Sequence, residues 1–282
     1  MKQLLRLLRP KHYLKNLLVF LPLFFGGRLT NTTALGQAGL TFAAFCLLAS
    51  SVYVFNDLCD RARDRCDPLK CTRPLASGAV CPAQAALLAA VLLALTAGLA
   101  HLLPGNARLC LLAYALSNLA YSLELKNIPL LDTALLAFGF LLRVLAGAAA
   151  AGVRASGWLC LTVLFLSLYM SFGKRRSELR RGFFTRGSAR LYTAAFLAQA
   201  MRLCLAAALG GYALWCLLAA TSLAGRRMLV TLPLTTWICL RYDRCAAQGG
   251  ADDPVELLLH DHVLLLLSAL YLALTAFLLY VL

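Results

Sequence analysis

The amino-acid sequence predicts an all-α, polytopic membrane protein. Of its 282 residues, 61% are hydrophobic and only 14% are charged, and the mean hydropathy is +0.77. Apolar runs of about 17 to 25 residues recur along the chain, and an α-helix of that length crosses the bilayer hydrocarbon while satisfying its own backbone hydrogen bonds. This composition excludes a soluble globular protein and predicts a helical bundle in the membrane.

Nine apolar segments are expected to cross the bilayer, so that residues 1–282 form a single integral membrane domain. No cleavable signal peptide is expected, because residues 1–15 form a basic amphipathic stretch without a small-residue cleavage site. The predicted spans are residues 13–27, 35–57, 82–103, 108–123, 129–152, 156–172, 191–220, 228–241 and 255–282.

The charges predict an orientation. If the spans alternate in direction, 20 of the 27 Lys and Arg residues fall on one side of the membrane and five on the other. The positive-inside rule then predicts a multi-pass protein of the inner (plasma) membrane with a cytoplasmic N-terminus. All 12 acidic residues lie in or near the same cytoplasmic loops. That rule does not require acids there, so their position predicts an active site on the cytoplasmic face.

The second predicted span ends in a cluster of oxygen ligands. Asn56, Asp57, Asp60 and Asp64 recur at spacings that place them on one face of a helix. Stacked carboxylates repel one another unless a cation neutralises them, and oxygen ligands without His or Cys select a hard ion such as Mg2+. The pattern therefore predicts a Mg2+ site that binds a diphosphate. The alternative is a solvated helix end.

Basic residues in the following loops are candidate phosphate ligands. Pro68 and Pro74 stiffen the loop that carries Lys70 and Arg73, and Arg73 can bind a phosphate in a bidentate manner. Arg143 lies within a span, where a charge usually faces a polar cavity. Lys and Arg at helix ends also serve as topology anchors, so that alternative remains open for the loop residues. The remaining candidates are Tyr121 and Lys126 with Asp132, and Lys174 and Arg175 with Glu178.

The string Asn56-Asp57-x-x-Asp60-x-x-x-Asp64 resembles the first aspartate motif of the UbiA-type intramembrane prenyltransferase superfamily. Further motifs resemble its decaprenyl-phosphate phosphoribosyltransferase branch. These are Arg9-Pro10-Lys11 with Lys15-Asn16, Pro68-x-Lys70-x-x-Arg73-Pro74, Tyr121-Ser122-x-x-Leu125-Lys126, Gly139-Phe140-x-x-Arg143 and Gly173-Lys174-Arg175-x-x-Glu178. One position departs from the branch, which commonly has His where this chain has Asp67.

The resemblance implies a nine-helix fold and a glycosyltransferase reaction. Phosphoribosyl diphosphate would donate its 5-phosphoribosyl group to a polyprenyl phosphate, with Mg2+ as cofactor. Asp57, Asp60, Asp64 and Lys126 would be catalytic, and the first three with Asn56 would hold the metal. The substrate phosphates would be bound by Lys15, Lys70, Arg73, Tyr121, Lys126, Arg143, Lys174 and Arg175, with Asp132 and Glu178 in supporting roles.

Two alternatives remain at the level of sequence. A prenyltransferase would move a polyprenyl group from its diphosphate to an aromatic or quinone-precursor acceptor, yet the loop around Lys126 lacks the aspartate pair expected of it. A secondary transporter would place its charges near the bilayer midplane, whereas these acids gather at one face. The net charge of +15 is assigned to topology and phosphate binding, and no nucleic-acid partner is expected.

Overall fold

The computed structural model describes residues 2–180, 191–218, 226–247 and 254–282. These residues form helices joined by turns, and no strand occurs among them, as the composition predicts. The basic run 181–190, the last two residues of the seventh predicted span, and the acids Asp252 and Asp253 lie outside the described residues.

Twelve α-helices and three 3-10 helices make up the described chain. The α-helices are α1 (Lys2–Leu8), α2 (Leu21–Phe25), α3 (Thr32–Cys59), α4 (Arg61–Cys66), α5 (Pro82–Ala100), α6 (Gly105–Leu123), α7 (Leu131–Ala151), α8 (Gly157–Arg180), α9 (Ala194–Leu218), α10 (Leu232–Ala247), α11 (Pro254–His260) and α12 (His262–Tyr280). The 3-10 helices are Pro10–Phe20, Leu125–Asn127 and Met228–Thr231.

Six of the described helices are long and apolar enough to cross a bilayer: α3, α5, α7, α8, α9 and α12. The prediction of nine spans is therefore not confirmed, because the first, the fourth (α6) and the eighth predicted spans are not among these six helices. The first predicted span consists of the Pro10–Phe20 3-10 helix and the short α2. The eighth begins as the Met228–Thr231 3-10 helix and continues as α10. Both are shorter or less regular than a single membrane-spanning α-helix.

The chain divides into two compact units. The first contains Met1–Leu135 and Leu142–Arg154, and its central helix is α3, which packs against α1, the Pro10–Phe20 3-10 helix, α5 and α6. Asn31 caps the start of α3 by accepting a hydrogen bond from the amide of Ala34. The main core of this unit includes Val19, Phe45, Leu48, Leu111, Tyr114 and Ala146.

The second unit contains Leu136–Leu141 and Ala155–Leu282. Within it α8 packs along α9, and α10 contacts both α9 and α12. Buried aromatic and aliphatic side chains between α8 and α9 form its core, namely Tyr169, Phe172, Tyr192, Leu197 and Met201. Hydrophobic burial of this kind stabilises each unit from within.

Candidate active site

The predicted carboxylates lie where α3 passes into α4. Asp57 is the third-last residue of α3, Asp60 separates the two helices, and Asp64 lies within α4. Asp60 leaves ideal helical geometry, with φ −90° and ψ 1°, so the single uninterrupted helical face that the sequence predicts is broken at that residue. The amide of Asp64 still donates to the carbonyl of Asp60, which keeps the carboxylates close together.

All three carboxylates are almost completely buried. Their residues are 2%, 7% and 4% exposed for Asp57, Asp60 and Asp64. A buried carboxylate requires a compensating charge or hydrogen bonds, because transfer of an ionised group out of water is strongly unfavourable. Each of the three carboxylates has such a compensating cation.

Asp57 is bound by two arginines. The Nη2 atom of Arg9 donates to both carboxylate oxygens, at 2.6 and 2.8 Å, and the guanidinium also lies over the ring of Tyr53. The Nη1 atom of Arg73 lies 3.3 Å from Oδ1 of Asp57. Arg9 itself has a left-handed backbone conformation, with φ 52°, immediately before Pro10.

Arg73 bridges two of the acids. Its Nη1 atom also donates to Oδ2 of Asp64, at 2.6 Å. Burial raises the pKa of the Asp64 carboxyl above its ordinary value, and the charges of Asp57 and Asp60 act in the same direction, whereas Arg73 opposes them. The positive charge of Arg73 therefore offsets the repulsion between the two neighbouring carboxylates of Asp57 and Asp64 in this buried site.

Lys126 neutralises the third acid. Its ammonium group lies 2.7 Å from Oδ1 of Asp60, and Lys126 is only 3% exposed. The neighbouring α6 contributes Ser122, whose hydroxyl donates to the side-chain oxygen of Asn56 at 3.2 Å. The end of α6 and the 3-10 helix Leu125–Asn127 therefore each contact one predicted metal ligand, Asn56 and Asp60 respectively.

The loop that carries Arg73 is held by α4 and by the core. Arg61 and Arg65 donate from Nε to the carbonyls of Leu75 and Ala76, at 3.2 and 3.1 Å. Leu75 is 1% exposed and packs in a cluster with side chains of α1, α3 and α5. These contacts fix the backbone beside Arg73, so its guanidinium is presented to the carboxylates. Arg61 and Arg65 therefore stabilise this loop, in addition to any effect of their charges on membrane topology.

The donor set is suitable for Mg2+. Asp57, Asp60 and Asp64, which are buried, and Asn56, which is half-buried, offer oxygen atoms without His or Cys, which is the chemistry that Mg2+ prefers. Across the described ranges, no three His, Cys, Asp or Glu side chains converge in the arrangement of a metal site. The acids pair with Arg9, Arg73 and Lys126 instead. A divalent cation could therefore coordinate them once these pairs rearrange.

The other predicted residues of the first unit have different surroundings. The Nζ atom of Lys70 lies 3.0 Å from Oδ2 of Asp67, and the Nζ atom of Lys15 lies 3.2 Å from Nδ1 of His12. Asp132 is completely buried and accepts a hydrogen bond from the amide of Thr133. Tyr121 is half-buried on α6, beside Ser122.

Arg143 is buried in α7, where it contacts neutral groups. It donates to Asn16 at 2.7 Å and to the hydroxyl of Tyr114 at 3.1 Å. Its guanidinium also lies over the rings of Phe45 and Tyr114.

The last group of candidates belongs to the second unit. Lys174, Arg175 and Glu178 all lie on α8. Arg175 is 1% exposed and forms an ion pair with Glu178. Of this predicted group, Arg175 and Glu178 therefore form an ion pair at a spacing of three residues on one helix.

Sequence reasoning did not assign four residues that the structure places in these networks. Arg9 appeared only within a motif, and its pairing with Asp57 joins residues 48 positions apart. Ser122, Asn16 and Tyr114 are uncharged, so they carry no signal of the kind that marks an intramembrane charge. The sequence predicts that Arg143, a charge within a span, needs polar partners. It does not predict which residues those partners are.

Several known proteins are similar to this chain in sequence. Residues 18–261 match the UbiA prenyltransferase family. The chain is 34% identical to decaprenyl-phosphate phosphoribosyltransferase of Corynebacterium glutamicum, covering 94% of this chain and 83% of the relative. The protein of the same name from Mycobacterium tuberculosis H37Rv is 34% identical, with 94% and 90% covered.

Solved structures show the same fold. A UbiA homolog from Archaeoglobus fulgidus bound to GPP and Mg2+ superposes with a TM-score of 0.76 at 22% identity, covering 98% of this chain and 99% of that one. The apo UbiA homolog from Aeropyrum pernix K1 gives a TM-score of 0.68 at 21% identity, with 93% and 94% covered.

The fold and the buried polar cluster define an all-helical integral membrane protein. The chain belongs to the UbiA prenyltransferase family, as its aspartate motif predicts, and is a transferase.

Proposed function

We propose that this transferase moves the 5-phosphoribosyl group of phosphoribosyl diphosphate to a polyprenyl phosphate, giving polyprenyl-phosphoryl-5-phosphoribose and diphosphate. The observation that carries the proposal is that Arg9, Arg73 and Lys126 reach directly into the carboxylate cluster. A donor with a diphosphate and a separate 5-phosphate carries more anionic groups than a prenyl diphosphate, so it needs more cations. The relatives named decaprenyl-phosphate phosphoribosyltransferase support the same substrate class.

The reaction breaks the bond between C1 of the ribose and the diphosphate oxygen, and a new bond joins C1 to an oxygen of the acceptor phosphate. That oxygen is already anionic, so no strong general base is required. Catalysis then depends on the position of the two substrates and on stabilisation of the charge that develops on the departing diphosphate. Lys126, which is buried, and Arg73, which is half-buried, would bind these phosphate oxygens.

The carboxylate cluster would hold the metal cofactor of the reaction. Asn56, Asp57, Asp60 and Asp64 would coordinate Mg2+, which supplies charge stabilisation for the leaving diphosphate. Arg9, Arg73 and Lys126, which pair with these acids, would be available to bind substrate phosphates when the acids coordinate the metal. The further phosphate ligands in this proposal are Lys15, Lys70, Tyr121, Lys174 and Arg175, with Asp132 and Glu178 supporting them.

The proposed location is the inner (plasma) membrane, with the N-terminus and the active site at the cytoplasmic face. The excess of Lys and Arg in alternate loops supports this orientation. A cytoplasmic site suits a water-soluble sugar diphosphate donor. The acceptor's isoprenoid tail stays in the bilayer while its phosphate meets the donor at the membrane surface.

The proposal is tested with purified protein in lipid nanodiscs. Phosphoribosyl diphosphate, a short-chain polyprenyl phosphate and Mg2+ are supplied, and both diphosphate and the lipid-linked product are measured. We expect both products to depend on the acceptor and on Mg2+. Asp57→Asn should abolish them. Glu256→Gln is the matched control, since it also removes one carboxylate charge but alters an exposed residue of the second unit.

Two outcomes would contradict the proposal. One is turnover only when a polyprenyl diphosphate and an aromatic acceptor replace the two substrates, which identifies a prenyltransferase. The other is phosphoribosyl transfer that persists in Asp57→Asn, because the carboxylate cluster would then not be the reaction site.

A further inference from the structure

The amino-terminal 3-10 helix approaches α7 too closely for a side chain between them. A Cβ atom added to Gly147 of α7 would lie 2.7 Å from the carbonyl carbon of Val19 and 2.9 Å from its Cα, and nearer still to its carbonyl oxygen. Distances below 3.0 Å are essentially never observed for real Cβ atoms. The absence of a side chain at Gly147 is therefore what allows these two backbones to touch.

Arg143 lies one turn before Gly147 on the same face of α7. Its Nε atom donates to the side-chain oxygen of Asn16, in the same 3-10 helix, at 2.7 Å. Asn16 is completely buried, and its amide nitrogen donates in turn to the sulfur of Cys46 on α3 at 3.2 Å. Arg143 and Gly147 thus hold neighbouring turns of one segment against α7.

The guanidinium of Arg143 is also fixed from other directions. Its Nη2 atom donates to the hydroxyl of Tyr114 on α6 at 3.1 Å. The guanidinium carbon lies 4.6 Å from the centre of the Tyr114 ring and 5.5 Å from that of Phe45 on α3. Cation–π and hydrogen-bond contacts of this kind stabilise a charge inside the membrane. They also set the direction in which Arg143 presents Nε to Asn16.

The segment held in this way needs external support. A 3-10 helix has poorer hydrogen-bond geometry than an α-helix and seldom exceeds four residues, whereas this one has 11. It begins at Pro10, immediately after Arg9, which binds Asp57, and it carries Lys15. A shift of the segment along α7 would move both cations relative to the carboxylates.

We propose that Arg143 and Gly147 are positioning residues, which fix the Pro10–Phe20 helix against α7 and so place Arg9 and Lys15 at the reaction site. Arg143 acts through Asn16 and does not need to contact substrate. This role differs from direct phosphate binding by Arg143, which the sequence pattern predicts. The inference rests on the proposed function only where its test measures phosphoribosyl transfer.

The test uses two variants that change no charge. Gly147→Ala adds a Cβ at the close approach to Val19, and Asn16→Ala removes the hydrogen bonds of Asn16 with Arg143 and Cys46. Gly147→Ala and Asn16→Ala are compared with Gly39→Ala, a control in α3 where an added Cβ meets no atom within 4 Å. Hydrogen exchange of residues 10–20, followed by mass spectrometry, reports the seating of the segment without any substrate. Steady-state phosphoribosyl transfer reports its effect on the reaction.

We expect exchange of residues 10–20 to be faster in Gly147→Ala and Asn16→Ala, and unchanged in Gly39→Ala. The kcat/KM for the donor should fall roughly tenfold to a hundredfold in the first two, because small misplacements of binding groups have effects of that size. Arg143→Lys should show the same loss, and adding Asn16→Ala to it should cause little more. If Gly147→Ala does not fold, Asn16→Ala carries the test.

Unchanged exchange and full activity in Asn16→Ala, alongside a large loss in Arg143→Lys, would overturn the inference and favour direct phosphate binding by Arg143. A second outcome is possible: the wild type transfers no phosphoribosyl group, yet exchange is faster in Gly147→Ala and Asn16→Ala. That outcome would support the positioning role and refute the proposed function. The two failures are thereby distinguishable.

Discussion

The guanidinium of Arg9 binds both carboxylate oxygens of Asp57, at 2.6 and 2.8 Å. This charge-assisted contact joins the start of the chain to the end of α3 and occupies oxygen atoms that a divalent cation would need. In the proposed mechanism, Arg9 and a metal ion would therefore compete for Asp57 until a substrate phosphate offers Arg9 another partner.

Arg9→Gln is expected to affect metal binding and catalysis in opposite directions. Without donor, the affinity for Mn2+, used as a spectroscopic substitute for Mg2+, should rise roughly tenfold to a hundredfold, because a charged hydrogen bond of about 1.5–3 kcal/mol no longer competes. Turnover should fall, since one phosphate-binding cation is lost. Electron paramagnetic resonance titration measures the first effect, and product formation the second.

Arg28→Gln is the matched control for that experiment, because Arg28 is exposed and lies in the turn after α2. Its Mn2+ affinity should equal that of the wild type. An Arg9→Gln protein with wild-type Mn2+ affinity would show that Arg9 and the metal do not compete for Asp57.

Lys126 and Asp60 form the most buried ion pair of the site, with side chains 4% and 9% exposed. Lys126→Met leaves the Asp60 carboxylate buried without this partner, and removal of one member of such a pair costs about 3–5 kcal/mol. We expect a clear fall in the thermal unfolding midpoint in detergent, together with loss of phosphoribosyl transfer.

The double variant Asp60→Asn with Lys126→Met separates these two effects. It removes both charges, so most of the unfolding midpoint should return while activity stays absent. If the double variant were as unstable as Lys126→Met alone, loss of the Lys126 partner of Asp60 would not be the cause of the instability.

Arg73 contacts Asp57 and Asp64 through one guanidinium nitrogen, at 3.3 and 2.6 Å. Arg73→Lys keeps the charge but loses the planar fork that suits bidentate phosphate binding. We expect kcat/KM for the donor to fall about tenfold or more, with little change in unfolding midpoint. Arg28→Lys is the matched control, because Arg28 is exposed and lies outside the carboxylate cluster. An unchanged kcat/KM in Arg73→Lys would exclude bidentate recognition by this residue.

The sequence predicted the helical class and the family because both depend on local patterns. Apolar runs mark membrane helices directly, and the spacing of Asp57, Asp60 and Asp64 identifies one end of α3 without any tertiary information. The break at Asp60 was not predicted, since a spacing of three or four residues looks the same in one helix or in two consecutive helices.

The irregular spans and the cationic partners depend on tertiary contacts. The apolar stretch 13–27 resembles a membrane helix in composition, yet its 3-10 geometry accompanies the close approach of Val19 to Gly147. Likewise, nothing near Arg9 in sequence indicates that its partner is Asp57. Long-range pairing of this kind is decided by packing, which a single sequence does not display.

The second unit offers a test of pH dependence away from the active site. Asp261 accepts hydrogen bonds from Arg241 and from the amide of Leu264, where it caps the start of α12. The Arg241 hydrogen bond, followed by that from the Leu264 amide, holds the pKa of Asp261 well below its ordinary value. A depressed carboxyl pKa stabilises the fold above the unfolded pKa of about 3.9, and this contribution is lost as the pH falls toward the folded pKa.

Asp261→Asn should therefore lower the unfolding midpoint at pH 7, because Asn retains a capping oxygen but not the charge. The difference from wild type should stay nearly constant from pH 8 to about pH 5 and shrink below about pH 4, where the unfolded carboxyl becomes protonated. Thermal unfolding in detergent across this range measures it, with Glu256→Gln as the control. A difference that grows as the pH falls would show that the Arg241 pairing does not stabilise the charged form of Asp261.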